Sequence, residues 1–281
     1  MPHAPLEELR DALSRGRLIP YLGAGMLTLT ADCPVPDSQE KLAAFITAKA
    51  AVPHKLKNRL TAAAQFIENF KHRKTLVKLM NEAFWPPVAP SSLHQALAAL
   101  AHLPLVVDVW YADAMQQALA PRPGGCQIQG LSQAEHFGSW YRGYDAQGQA
   151  IDEATAGQCL TVLYKPLGGR APADNYIISD SDYVELLTEI DIQTPIPALV
   201  QTLRQQRGFL FLGCRFNDQL QRILARQIMK RSAGPHWAVI TGALTSNELR
   251  FMEEQQIRQI DMPLAQFEMG MAAPALELEP A

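Results

Sequence analysis

Short apolar runs alternate along the chain with longer segments whose apolar residues recur at helical spacing. The runs that predict buried strands lie at residues 18–22, 105–109, 159–165, 176–178, 208–213, 236–240 and 257–262. The segments that predict helices lie at residues 5–15, 39–51, 55–70, 75–84, 93–101, 112–120, 180–190, 199–205, 218–231 and 246–255. Strands that alternate with helices indicate an α/β fold, with a mostly parallel sheet covered by helices on both faces.

The order of these segments also predicts how the chain is divided. We expect one domain over residues 1–265, in which the helical segments at 37–84 form an insertion beside the sheet. The glycine-dotted stretch 121–157 predicts a hairpin or an irregular excursion, with a turn at Asp145–Gly148. Residues 266–281 have little apolar surface to bury and predict a flexible tail.

The first apolar run ends abruptly in the glycine-rich segment Gly23-Ala24-Gly25. A buried strand that leads into such a turn is typical of nucleotide-binding α/β units, because glycine lets a phosphate approach the backbone N–H groups. The third glycine of the dinucleotide fingerprint is missing, since Thr28 stands at that position. These residues alone leave two alternatives open, a phosphate site and an ordinary strand–turn sequence.

Composition narrows the classes of function. The chain has 281 residues, of which 48% are apolar and 19% charged, so it can bury a sizeable core. Its net charge of −3 provides no basic surface of the size that nucleic-acid binding requires. No apolar stretch approaches the ~20 residues of a membrane-spanning helix, and the N-terminus has no signal-peptide pattern.

The cysteines argue against a metal module and favour a reduced compartment. Four cysteines lie far apart, at positions 33, 126, 159 and 214, and no Cys-x-x-Cys pair occurs. No cluster of histidines or carboxylates has metal-ligand spacing either, so we expect no metal site. A cytoplasmic location fits this cysteine usage.

The helical insertion is rich in basic side chains. They are Lys55, Lys57, Arg59, Lys71, Arg73, Lys74 and Lys78. Such a basic surface fits either a protein partner or an ordinary solvated helix face, and both alternatives stay open. The sequence leaves a homo-oligomer open as well.

Several blocks, taken in order, resemble the SIR2-like (sirtuin-related) NAD-binding family. The first strand and its Gly-Ala-Gly turn are similar to the family's opening, and the later blocks are similar to its Thr-Asn-Tyr-Asp, Lys-Leu-His-Gly, Ser-x-x-Asp-Tyr and Gly-x-Ser-x-x-Asp segments. The blocks that carry this likeness are Leu18–Gly25, Leu105–Leu119, Tyr164–Gly169, Asn175–Tyr183 and Phe209–Leu220. The absence of cysteine pairs is similar to the bacterial branch that lacks the sirtuin zinc module.

This resemblance implies a Rossmann-type sheet with a small helical module, and NAD or ADP-ribose bound over the carboxyl ends of the strands. By the same resemblance, Gly23, Ala24 and Gly25 face the pyrophosphate, while Gly213 and Arg215 flank the ribose side. Arg215 is expected either to contact a phosphate or to form a salt bridge.

The departures from the family pattern concern catalysis. Active members use an Asn to help cleave the nicotinamide–ribose bond and a His as general base, and the alignment places Tyr111 and Leu167 at these two positions. The Ser after the glycine turn is replaced by Leu27. Asp108 and Asp113 remain nearby, where capping or surface roles are favoured over catalytic ones. The catalytic residues, if there are any, are therefore unknown.

Three functions follow from this pattern. The first is a domain that binds NAD or ADP-ribose without turnover and acts as a sensor or partner-binding module. The second is a divergent NAD hydrolase or NAD-dependent deacylase. The third is a scaffold whose pocket has been filled by side chains.

Overall fold

The structure is a computed structural model that describes residues 3–189 and 195–272. The described strands are Leu18–Leu22 (β1), Leu105–Asp108 (β2), Gly125–Gly130 (β3), Tyr141–Tyr144 (β4), Ala150–Ile151 (β5), Thr161–Lys165 (β6), Gly168–Gly169 (β7), Asn175–Tyr176 (β8), Gly208–Leu212 (β9), His236–Val239 (β10) and Ile257–Ile260 (β11). The described helices are His3–Ser14 (α1), Gln39–Lys49 (α2), Leu60–Lys71 (α3), Arg73–Ala83 (α4), Ser92–Ala98 (α5), Ala114–Leu119 (α6), Glu153–Ala156 (α7), Asp180–Glu189 (α8), Ala198–Leu203 (α9), Gln219–Met229 (α10), Ser246–Glu254 (α11) and Leu264–Ala272 (α12).

Nine of the described strands form one sheet in the order β11-β10-β9-β1-β2-β6-β3-β4-β5. Within this sheet the pairs from β11 to β3 are parallel, and the β3–β4 and β4–β5 pairs are antiparallel. The short strands β7 and β8 form a separate antiparallel pair. This arrangement confirms the α/β, Rossmann-like fold with a mostly parallel sheet. The order reverses at β1, because the chain goes from β1 to β2 on one side and returns to β9 on the other. Crevices of open α/β sheets form at such a reversal, outside the carboxyl ends of the strands.

The central strands are buried on both faces, which explains their continuous apolar runs. In β9, Phe209 and Phe211 point into the core on one face, while Leu210 and Leu212 point into the core on the other. All four side chains are fully buried. The predicted strands were identifiable for this reason.

The stretch 121–157 contains more sheet than expected. Gly125–Gly130 is a full strand that pairs in parallel with β6 and antiparallel with β4, and β4 and β5 form the expected hairpin with its turn at Asp145–Gly148. The expectation of an irregular excursion is therefore wrong for residues 125–130. Two buried glutamines, Gln127 and Gln129, interrupt the apolar pattern by which a buried strand is predicted. They can be buried because their Nε2 groups donate to backbone carbonyls of the segment after β7.

The helices α2, α3 and α4 pack against one another beside the sheet, within the stretch predicted as a helical insertion. One of the basic residues assigned to its surface is misplaced. Arg73 is 11% exposed and forms ion pairs with Asp182, Glu68 and Glu135. Its guanidinium also donates to the backbone carbonyl of Tyr176. Arg73 therefore joins the helical module to the β8–α8 segment, and the other six basic side chains are exposed.

The described part of the C-terminal segment is a packed helix. Phe267 of α12 is fully buried, and the Glu268 carboxylate accepts a hydrogen bond of 2.8 Å from the Leu93 backbone N–H. The prediction of a flexible tail is wrong for residues up to 272, because an apolar helix docks on α5 and α1 there. The remainder of the predicted tail, and the predicted end of α8 at residue 190, lie outside the described residues.

Candidate functional site: a crevice where the strand order reverses

A crevice of about 470 Å³ lies at the reversal between β1 and β9. Its walls come from the turns that follow β1, β2 and β9, from the N-terminal turns of α2 and α10, and from Tyr183 of α8. The volume falls in the range of about 300–1,000 Å³ that is usual for small-molecule and cofactor sites. The structure thus has an open cavity at the place where the sequence predicts a nucleotide.

The glycines at this corner are required by the approach of two backbone turns. The Gly23 N–H donates to Leu212 O and the Gly25 N–H donates to Gly213 O, each at 2.9 Å. A Cβ on Gly23 or Gly25 would lie 2.5 or 2.8 Å from Gly213 O, and Gly213 itself has a φ of +64°. Among the described residues, no acceptor faces the Ala24 N–H. Of the three amides predicted to face a phosphate, those of Gly23 and Gly25 are therefore used within the protein, and only that of Ala24 has no acceptor among the described residues.

Arg215 lines the crevice and forms a salt bridge there. Its Nε and one terminal nitrogen donate to the two carboxylate oxygens of Glu248, at 2.8 and 3.0 Å. Burial raises the pKa of Glu248, but hydrogen bonds from Thr245 and Arg215 outweigh it and hold that pKa below its usual value. The ion-pair alternative for Arg215 is thus realised in the structure. A phosphate contact would have to share a guanidinium that is already neutralised.

The wall at the carboxyl end of β2 is apolar and aromatic. Tyr111 is buried and its hydroxyl donates to Ile177 O at 2.8 Å. Leu167 and Tyr183 are buried beside the same cavity. Burial raises the pKa values of Tyr111, Tyr183 and Cys214 well above their usual range, so these groups stay protonated near neutral pH. No histidine is among the described residues that line the crevice.

A model of the SIR2-like domain family matches residues 104–260, which is more than half of the 281-residue chain. The chain belongs to the SIR2-like domain family. This result confirms the resemblance seen in the sequence and supports a nucleotide- or NAD-related domain at the level of the family. No curated protein matches the chain. The glycine corner precedes the matched segment, but β1 lies between β2 and β9, which both belong to it.

In this SIR2-like domain, the Lys of the Lys-Leu-His-Gly-like block has a structural role. Lys165 is 2% exposed and its Nζ lies 2.7 Å from an Asp108 carboxylate oxygen. The same ammonium donates to Trp110 O and Ala112 O, at 2.7 and 2.8 Å. Lys165 therefore fixes the turn after β2 that presents Tyr111 to the crevice.

Asp113, the remaining carboxylate of the family's first catalytic block, lies outside the crevice. It lines a different cavity and its carboxylate lies 3.8 Å from the Arg170 guanidinium. Leu27, at the position of the family's Ser, is buried in the core. Of the three positions that correspond to the family's catalytic site, the crevice therefore includes Tyr111 and Leu167 but not Asp113.

The sequence interpretation missed the polar side of the crevice. The carboxylates of Asp37, Glu40 and Asp218 line it, together with the amides of Asn217 and Gln221. Asp218 stands at the Asp of the family's Gly-x-Ser-x-x-Asp segment, but the sequence interpretation assigned it no role; in the structure its side chain caps α10 and accepts the Gln221 N–H at 3.1 Å. A capping signal alone does not indicate that the capped helix begins at a cavity.

Two negative findings concern the described residues alone. No group of three or more His, Cys, Asp or Glu side chains in them has an arrangement that could hold a metal ion. None of their helices combines the length and the apolar character needed to cross a bilayer.

Proposed function

We propose that this SIR2-like domain binds NAD or ADP-ribose in the crevice, lacks sirtuin-type turnover and acts as a sensor or partner-binding module. The observation that carries the proposal is the combination of an open cavity of about 470 Å³ with an apolar wall at Tyr111 and Leu167. The cavity is open to a ligand, but a buried phenol and a leucine stand at the positions where active relatives carry Asn and His.

The residues present fit a dinucleotide in part. The Ala24 N–H, which has no acceptor among the described residues, is a donor for a phosphate oxygen, and the buried side chains of Tyr21, Trp110 and Phe216 make part of the wall apolar. The carboxylates of Glu40 and Asp218 are acceptors of the kind that bind ribose hydroxyls in dinucleotide sites. Affinity would then come mainly from the nucleoside parts, because few donors are left for the pyrophosphate.

The absence of turnover rests on chemistry at the aromatic wall. General base catalysis needs a group that exchanges a proton near neutral pH, and the side chain of Leu167 cannot do so. The Tyr111 hydroxyl is committed to Ile177 O, and burial raises the pKa of Tyr111. A buried phenol in this state does not replace a carboxamide that orients a ribose or a water.

The scaffold alternative, in which side chains fill the pocket, is the least supported. Tyr111 and Leu167 do occupy buried positions, but the crevice beside them remains open. The hydrolase alternative has one observation in its favour. Glu40 is exposed at the crevice and forms no ion pair with any residue that the structure describes, so its carboxylate could stabilise positive charge that develops on a ribose.

The helices α2, α3 and α4, together called the helical module, connect the crevice to an exposed basic surface. Its helix α2 contributes Gln39 and Glu40 to the crevice, and α3 contributes Leu60. The exposed basic side chains of the same module are Lys55, Lys57, Arg59, Lys71, Lys74 and Lys78. We propose that a partner protein with an acidic surface binds these basic side chains, and that its binding depends on whether the crevice is occupied.

Calorimetric titration of the full chain with NAD and with ADP-ribose tests the proposal, together with an assay for released nicotinamide. Heat of binding for at least one nucleotide, without nicotinamide release above background, is the expected result. Sustained release would establish the hydrolase alternative instead. The absence of both heat and a thermal shift would favour the scaffold.

A further inference from the structure

Two of the four cysteines meet where β6 begins beside β3. Cys126 is a buried residue of β3, and Cys159 is a half-buried residue of the turn between α7 and β6. The parallel register places Cys126 opposite Val162. The Leu160 N–H donates to Gly124 O at 2.7 Å, which holds the turn against the start of β3. The pairing of β3 with β6 therefore brings together two cysteines from separate segments.

The two thiols contact the same turn of helix. Cys126 Sγ lies 3.8 Å from Ala156 O, and Cys159 Sγ lies 3.8 Å from the adjacent carbonyl oxygen, that of Thr155. The two thiols also lie within hydrogen-bonding reach of each other. Burial, together with the neighbouring Cys159 thiol, raises the pKa of Cys126, so Cys126 stays protonated near neutral pH. Sulfur atoms in such contact are the starting geometry of a disulfide.

The two thiols differ in their access to solvent. Cys126 is only 6% exposed, whereas Cys159 lies between the exposed residues Gln158 and Leu160. A small oxidant in solution therefore reaches Cys159 first. The buried, protonated thiol of Cys126 is suited only to a second step, in which its reaction partner is already beside it.

We propose that Cys126 and Cys159 are a site of reversible oxidation, at which a hydroperoxide converts the two thiols into a disulfide. The Cys159 thiolate attacks one peroxide oxygen, the O–O bond breaks, and Cys159 becomes a sulfenic acid while the other oxygen leaves as hydroxide and takes up a proton. The Cys126 sulfur then attacks the Cys159 sulfur, and the S–OH bond breaks. The hydroxyl leaves as water with the Cys126 proton. With hydrogen peroxide, two thiols give one disulfide and two waters.

The disulfide would close a loop from residue 126 to residue 159. This loop contains β4, β5 and α7, which form the antiparallel edge of the sheet. A bond across it restricts the unfolded chain and so stabilises the folded one. Neither cysteine lines the crevice, so the proposal does not depend on nucleotide binding there.

Peptide mapping of the full chain tests the disulfide. The reduced protein is treated with a small excess of hydrogen peroxide, alkylated and digested with trypsin, which cuts after Arg142 between the two cysteines. We expect a linked pair of peptides that contain Cys126 and Cys159, a chain mass lower by two hydrogens, and loss of the link after treatment with dithiothreitol. A link to Cys33 or Cys214, or a sulfinic acid at Cys159 without a link, would overturn the proposal.

Three variants test the order of the two steps. In Cys126→Ala, the sulfenic acid at Cys159 has no second thiol to react with, so dimedone should label Cys159 there and leave the parent chain unlabelled. Cys159→Ser should prevent the link and leave Cys126 unoxidised. Cys33→Ser, at another half-buried cysteine, is the matched control and should form the link as the parent does. Equal dimedone labelling of Cys159 in the parent and in Cys126→Ala would contradict the role of Cys126.

Thermal unfolding tests the effect of the bond on the fold. Oxidation should raise the melting temperature of the parent chain and of Cys33→Ser by about 5 °C, because both form the link. The melting temperature of Cys159→Ser should not change on the same treatment. A linked parent chain that melts no higher than the reduced chain would contradict stabilisation of the sheet edge.

Discussion

The Lys165 ammonium lies 2.7 Å from the Asp108 carboxylate, at a depth where the two side chains are only 2% and 9% exposed. Two backbone carbonyls complete the surroundings of Lys165, so three hydrogen bonds, one of them to the paired Asp108 carboxylate, fix the turn that follows β2. That turn supplies Trp110 and Tyr111 to the crevice. The turn after β2, which resembles the family's Thr-Asn-Tyr-Asp segment, is thus fixed in place by Lys165.

Lys165→Met should destabilise the fold by about 3–5 kcal/mol, because it leaves the Asp108 carboxylate buried and unpaired. Chemical denaturation measures the free energy of unfolding. The double variant Asp108→Asn with Lys165→Met should lose less than the sum of the single variants, since no unpaired charge remains. Lys57→Met, at an exposed lysine, is the matched control. A Lys165→Met variant as stable as this control would refute the structural role.

Arg73→Met should cost about 3 kcal/mol, because the buried Asp182 carboxylate loses its counter-charge. Burial lowers the pKa of Arg73, but the neighbouring carboxylates, Asp182 above all, outweigh burial and raise that pKa above its usual value. Thermal unfolding of Arg73→Met and of its exposed neighbour variant Lys74→Met gives the comparison. Equal melting temperatures for the two variants would show that Arg73 does not join the helical module to α8.

Stability should fall on acidification through His236. Burial lowers the pKa of His236 to about 4, and its Nδ1 accepts the Phe209 N–H at 3.0 Å, which requires an unprotonated nitrogen. The folded state therefore favours the neutral ring. Its contribution is complete above the unfolded pKa of about 6.5 and is lost as the pH falls from there to about 4, by roughly 3 kcal/mol.

His236→Asn supplies an acceptor that does not titrate in this range. Denaturation curves between pH 7 and pH 4 should show a smaller loss of stability for His236→Asn than for the parent chain. His54→Asn, at an exposed histidine, should follow the parent. Parallel pH profiles for the parent and His236→Asn would contradict the neutral, buried state of His236.

NADP should bind about tenfold more weakly than NAD, or worse, because a 2′-phosphate needs a cation. Arg215 is the basic residue that lines the crevice among the described residues, and Glu248 already neutralises it. Competition titrations against ADP-ribose measure the ratio. Equal affinities would mean that Arg215 leaves Glu248 when ligand binds, and Glu248→Gln should then raise the affinity for NADP further.

The local pattern of apolar and polar residues was enough to predict most of the fold and part of the crevice. Strands such as β9 could be predicted since burial on both faces leaves an uninterrupted apolar run. The strand β3 could not, because Gln127 and Gln129 find partners in a segment about 40 residues further along the chain. The likeness to SIR2-like proteins placed Tyr111 and Leu167 at one crevice, as the structure does.

What the sequence could not supply are the contacts between distant segments. The glycines at positions 23 and 25 suggest a phosphate, yet each lies against the backbone of Gly213, and no local pattern contains that contact. In the same way, Glu248 lies on a helix that the sequence connects to no site, so its ion pair with Arg215 was not foreseeable. Both contacts reduce the donors left for an anion.

Substitution of Ala24 tests nucleotide binding at the crevice without disturbing the glycines. Its N–H has no acceptor in the part of the chain that the structure describes, and its side chain is partly exposed. Calorimetric titration with ADP-ribose compares the parent chain, Ala24→Asn and Ala24→Asp, since the last two differ only in a negative charge. Micromolar binding by the parent and by Ala24→Asn, with about tenfold or greater weakening in Ala24→Asp, is the expected result. No binding by the parent chain, or equal binding by the two variants, would contradict a nucleotide at this corner.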